Sequence, residues 1–121
     1  MRRDRRRAHR RGHLAEWLCL WHLRCKGYRV LARRYRVPVG EIDLIVRRGR
    51  VLVAVEVKAR ADWDAAAASI QGRQRRRIAR ALEQFRGSRP DLATLDARFD
   101  VMLVVPRRLP RHLADAWRAE R

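Results

Sequence analysis

Long apolar runs are missing from this 121-residue chain. None approaches the roughly 20 residues that a membrane-crossing helix requires, so no span is expected. Cysteine is scarce too. Cys19 and Cys25 stand six residues apart on an expected helix and point in different directions, which excludes a disulfide framework. Neither has a Cys or His neighbour at zinc-finger spacing, and His9, His13, His22 and His112 are scattered. A reducing, cytoplasmic setting is the default for such a chain. The opening MRRDRRRAHRRG has the charge of a leader, but the apolar part after it carries Glu16 and His22 and lacks a small-residue cleavage site, so a signal peptide is not expected. Acidic residues are few: 13 Asp and Glu against 31 Lys and Arg leave a net charge of +18. A monomer this basic repels itself and is suited to a polyanion, nucleic acid first and an anionic membrane surface second. GC-rich coding can inflate arginine without any such partner. Internal repeats, a helix-turn-helix and a zinc finger are all lacking, so nucleic-acid binding would follow shape and depend strongly on salt.

What is present fits one α/β domain, residues 12–121, behind a basic arm, residues 1–11, whose arginines show no apolar period and read as disordered. Residues 12–26 predict a helix. Leu14, Trp17, Leu18, Trp21 and Cys25 follow core-facing helical spacing, and Leu20 and Leu23 widen the apolar surface. A helix so buried makes Glu16 conspicuous. Residues 28–37, 41–47 and 51–58 predict three strands, punctuated by Pro38 and Gly40 and then by the turn RRGR, 47–50. An Asp- and Ala-rich linker from residue 62 leads into a helix over 69–85, with Ile70, Ile78, Leu82 and Phe85 on its apolar side. The apolar run 98–105 predicts a strand covered on both faces, and residues 110–120 a short terminal helix. Crossover handedness places the fourth strand parallel to the third, in a mixed sheet with helices on both faces.

The second and third strands carry charge where a core is expected. Strand side chains alternate with period two, so Leu52, Ala54, Glu56 and Lys58 share one face while Val51, Val53, Val55 and Val57 share the other. If Val46 faces Val51 across the turn, Asp43 faces Ala54 and lies diagonal to Glu56 on the Lys58 face. Two inward carboxylates at that spacing repel unless a cation sits between them, and oxygen-only ligands suit Mg²⁺ or Mn²⁺. Such an ion polarises a phosphodiester, and Lys58 can orient water or stabilise developing charge. Glu16 can add a third oxygen ligand. Each charge taken alone also fits a solvated strand edge.

GEIDLI (Gly40–Ile45), VEVKAR (Val55–Arg60) and RFDV (Arg98–Val101) together resemble the YraN family of small bacterial proteins, over about Gly12 to Val105. The resemblance implies the restriction-endonuclease-like αβββαβ core of the PD-(D/E)XK nuclease superfamily and a likeness to archaeal Holliday-junction resolvases. It implies Asp43, Glu56 and Lys58 as the metal-and-catalysis triad, with Glu16 as the first-helix glutamate. This chain departs from the family pattern at Gln74, where a lysine is usual, and at Arg34, where an asparagine is common. Asp100 belongs to the pattern, and its chemistry suits a bond to an arginine or a backbone amide.

The expected function is a Mg²⁺- or Mn²⁺-dependent nuclease acting on DNA, including branched or damaged DNA. The alternatives are a nucleic-acid-binding protein that keeps the fold without turnover, and a basic scaffold for a protein partner. Arg73, Arg76, Arg77 and Arg80 share one helix face and, with Gln74 and Arg36, are the expected nucleic-acid contacts. A two-fold junction substrate would favour a homodimer.

Overall fold

The computed structural model describes the backbone of residues 2–68 and 72–117 and the side chains of residues 13–66 and 74–117. Helix α1 (Arg2–Cys25) leads into a meander of β1 (Arg29–Val37), β2 (Gly40–Arg48) and β3 (Val51–Ala59). Helices α2 (Trp63–Ala68) and α3 (Gly72–Gly87) and a short 3-10 turn (Pro90–Leu92) cross over to β4 (Asp96–Val104), and β5 (Arg111–Trp117) closes the sheet. The strand order is β1-β2-β3-β4-β5, with β3 and β4 parallel and every other pair antiparallel. This is the expected mixed sheet with helices on both faces, a restriction-endonuclease-like arrangement.

Period-two alternation sorts β3 between two cores. Val53 and Val55 lie under Ala15, Cys19 and Leu23 of α1. Leu52 and Ala54 lie under Ile78, Leu82 and Phe85 of α3 on the opposite face. Strand β4 is buried from Phe99 to Val104 because both layers cover it, as its unbroken apolar run predicts. At about 1.5–3 kcal/mol for each fully buried aliphatic side chain, these two layers supply most of the folding drive.

Four local expectations are corrected. The α1 stripe chosen for the core is the wrong one: Leu14, Trp17, Leu18, Trp21 and Cys25 are exposed, while Ala15, Glu16, Cys19, Leu20 and Leu23 are buried. The helix has two apolar stripes, and the small Ala15 and Cys19 let it lie close on the valine face of β3. The helix also includes the backbone of residues 2–11, expected to be a disordered arm; arginine and alanine favour helix, and no proline interrupts the stretch. The linker contains α2, whose alanines favour helix and whose first turn is capped by Asp62 Oδ1, accepting from the Ala65 amide at 2.8 Å. The expected terminal helix is β5. Its pairing with the exposed edge of β4, and the stacking of Trp117 on Phe99 at 4.1 Å between ring centroids, override the helix-favouring alanines. Ile70 lies outside the described residues.

The β2–β3 hairpin turns tighter than RRGR. Arg48 pairs with Val51 and Val46 with Val53, leaving a two-residue turn in which Gly49 has φ 59°. The slip from the expected register is two residues. An even slip preserves which side chains share a face.

Gly40 has a role that its position between strands does not reveal. A Cβ there would stand 2.3 Å from the backbone oxygen of Arg77, so α3 rests directly on β2 at this point. Asp100 is explained as well. It is buried, and its carboxylate accepts two bonds from Arg98 (2.9 and 2.7 Å), one from the Asp115 amide (2.9 Å) and a 2.6 Å contact from His112 Nε2. Burial alone would raise its pKa. The bonds from His112, Arg98 and the Asp115 amide outweigh burial and hold it at about 2. Arg98 also bonds the Tyr28 hydroxyl, and Lys26 Nζ lies 2.9 Å from His112 Nδ1, so the cluster ties β5 and β4 to the end of α1.

Two outcomes follow. Gly40→Ala lowers unfolding free energy by about 1–3 kcal/mol in urea titration, because a buried backbone contact must open. Asp100 has a folded pKa below its ordinary value of 3.8, so its contribution is complete above about pH 4 and is lost as pH falls toward 2. Acid titration followed by circular dichroism therefore shows a loss of roughly 2 kcal/mol over that interval, which Asp100→Asn removes.

Candidate active site

The β2–β3 ladder ends at the pair Leu44–Val55. Beyond it β2 continues beside β1 and β3 beside β4, so the sheet forks. Extending the register by one residue would set Asp43 opposite Glu56 instead of diagonal to it. The Val57 amide donates to Asp43 Oδ2 at 2.8 Å, and a side chain takes the place of a ladder carbonyl.

Four side chains meet at this fork. Lys58 Nζ lies 3.4 Å from Glu56 Oε1 and donates to Gln74 Oε1 at 3.0 Å. Gln74 Nε2 donates back to Glu56 Oε1 at 3.2 Å, closing a three-membered ring of contacts between β3 and α3. The Glu56 and Lys58 side chains are only 12% and 11% exposed, which leaves little water to screen their charges. Burial pushes the Glu56 carboxyl up to about 8, and the charge of Asp43 adds to the rise. Burial also raises Asp43, against the opposing bond from the Val57 amide. Burial, with the mutual charge of the pair, holds both carboxyls above their ordinary range.

Glu16 approaches this pair from α1 but is engaged elsewhere. Its Oε2 accepts from Arg34 Nε at 2.9 Å. Among the described residues no three His, Cys, Asp or Glu side chains gather as a metal cluster, so the expected third ligand is not joined to Asp43 and Glu56. Arg34 stands opposite Asp43 in the β1–β2 register and has φ 50°. That left-handed conformation is several-fold commoner for asparagine than for other non-glycine residues. Here an arginine accepts the strain and neutralises a buried glutamate. Cys19, below the carboxylates, has its thiol pushed by burial to about 12, with the charges of Asp43 and Glu16 adding to it, which excludes a thiolate nucleophile at neutral pH.

The expected nucleic-acid contacts divide. Arg76, Arg77 and Arg80 are exposed on α3, and among the described residues no hydrogen bond or ion pair engages them. Gln74, on the same helix, belongs to the carboxylate ring instead. Arg36 is exposed and paired with Glu41 at 3.0 Å, a contact too wet to hold it against a competing phosphate. The Arg73 side chain lies outside the described residues. Sequence reasoning missed the bridging of Glu56 and Lys58 by Gln74; its only signal was a polar residue amid arginines.

A forked mixed sheet between helices, with paired carboxylates and a lysine at the fork, defines a restriction-endonuclease-like protein. The chain belongs to uncharacterised protein family UPF0102, the YraN family, whose model matches residues 15–104. It is 60% identical over 111 residues to a UPF0102 protein of Parvibaculum lavamentivorans, covering 92% of this chain and 84% of that one. It is 51% identical to one from Maricaulis maris (97% and 92% covered) and 45% identical to one from a Chelativorans species (98% and 95% covered). The matched segment holds Glu16, Asp43, Glu56, Lys58, Gln74 and Asp100 and stops before β5. No helix among the described residues is long and apolar enough to cross a membrane.

A buried carboxyl whose pKa is raised on folding costs stability once it must ionise. The metal-free protein therefore loses stability as pH rises from about 4.5 to about 8 through Glu56. Glu56→Gln removes that cost. In EDTA near pH 8 the variant is expected to be more stable than the parent by on the order of 1–3 kcal/mol in urea titration.

Proposed function

We propose that this protein is a divalent-metal-dependent nuclease that hydrolyses phosphodiester bonds in DNA, branched or damaged DNA included. The observation that carries this reading is the largely buried pair of carboxylates, Asp43 bonded by the Val57 amide and Glu56 beside Lys58, whose mutual repulsion would favour a cation between them. Hard carboxylate oxygens suit Mg²⁺ or Mn²⁺, and the nearby Cys19 thiol is held protonated by burial, which makes it a poor ligand. Asp43 and Glu56 would hold the ion, and when bound it would supply Lewis acidity toward a phosphate oxygen and acidify a water.

The chain's own residues do the rest. Asp43 is braced by the Val57 amide, so its carboxylate is set before substrate arrives. Gln74 holds Lys58 beside Glu56, which puts an ammonium where negative charge develops on the phosphate. Arg34 cancels Glu16, lowering the negative charge that a polyanionic substrate meets at the fork. The exposed arginines of α3 sit on the helix that delivers Gln74 and would position the backbone without reading sequence. The same engagement of Glu16 by Arg34 favours a second reading, a nucleic-acid-binding protein that keeps this fold without turnover.

Cleavage of labelled linear, flap and four-way-junction DNA separates the two. Cutting is expected with Mg²⁺ or Mn²⁺, none in EDTA, and a loss of at least about 100-fold for Glu56→Ala, Asp43→Ala or Lys58→Ala, the scale of a removed charge-stabilising group. Binding that falls with added salt, without cutting and unchanged by Glu56→Ala, would instead support the binding module.

A further inference from the structure

The apolar stripe of α1 that does not enter the core is unused by the site above. Leu14, Trp17, Leu18 and Trp21 form one continuous face, and the two indoles are 44% and 56% exposed. Large aromatic rings on the surface mark an interaction site more often than chance placement does. Each indole also carries a guanidinium: Arg33 sits 4.3 Å from the Trp17 ring centroid and Arg24 5.1 Å from that of Trp21.

The face adjoins the fork. Trp17 follows Glu16 in the chain, and the neighbouring residues of β1 divide between the two places: Arg34 bonds Glu16 while Arg33 covers Trp17. Trp21 follows Trp17 by one helical turn, so the two rings lie in line along α1.

We infer that this face of α1 is a stacking ledge for unpaired bases of a nucleic-acid strand that continues from the site. The inference rests on the proposed nucleic-acid substrate and narrows it to one with a single-stranded segment. Charge decides the occupant. The cations at the ledge are arginines and the chain's net charge is +18, so a second copy docking here would set like charges together. A single strand satisfies both features: its phosphates meet Arg24 and Arg33, and its bases offer π faces to the indoles. Stacking is indifferent to base identity, in keeping with a surface that has no groove-reading element.

The test is binding, measured in EDTA with Glu56→Gln present in every protein so that nothing is cut. Fluorescence anisotropy compares a labelled mixed-sequence single strand with its blunt duplex. Trp17→Leu and Trp21→Leu keep an apolar side chain on an exposed surface and remove the ring, and circular dichroism checks that both fold. Each is expected to weaken single-strand binding about tenfold, and the pair more, with duplex binding changed less than about twofold. Equal losses on both ligands, no loss on either, or no binding by the parent would overturn the ledge. So would a dimer, seen by sedimentation equilibrium, that Trp21→Lys dissolves, because the face would then belong to a second copy. Failure of the nuclease reading looks different: there the ledge binds as expected while the protein with Glu56 restored never cuts.

Discussion

Everything at the candidate site depends on where one ladder stops. Strands β2 and β3 pair through Leu44–Val55 and then separate, each keeping its other neighbour. Within a continuous sheet, opposed carboxylates would be crowded and desolvated with nothing to answer them. At the fork, Asp43 gains the Val57 amide, and Glu56 gains Gln74 and Lys58. The cost remains visible in carboxyls raised above their ordinary range by burial. That residual conflict is the feature on which the proposed metal site rests.

The two helices that flank the sheet divide the labour around this fork. Helix α3 is set on β2 by the absence of a side chain at Gly40, and that contact places Gln74 within reach of Lys58 and Glu56. Helix α1 is set on β3 by the small Ala15 and Cys19, and that contact brings Glu16 toward Asp43 and turns the tryptophans outward. The Asp100 cluster, on the strand next to β3 and opposite Val55, locks β5 and the end of α1 to β4. It stiffens the frame against which the site is aligned.

Much of this was legible from residue order. Strand periodicity alone put Asp43, Glu56 and Lys58 on one face, and that survived an error in register because the error was even. The unbroken run in β4 announced burial on both sides, and crossover handedness set it parallel to β3. Asp100 bonds an arginine and a backbone amide, as its chemistry suggested. Helix α1 was misread because two stripes of similar hydropathy compete on it. Hydropathy counts apolar area and does not register that a close-packed valine surface prefers alanine and cysteine to tryptophan.

The sequence by itself determined the alternation of faces, the order of the first four strands and the chemical character of the fork, because these depend on local spacing and residue type. Only the tertiary structure decided which stripe of α1 is inside, that residues 111–117 pair as a strand, that Arg34 claims Glu16, and that Gln74 bridges Lys58 and Glu56. Each of these is a competition between partners distant in the chain. Spacing along a sequence cannot settle it, because the winner is chosen by packing volume and by which charges burial brings together.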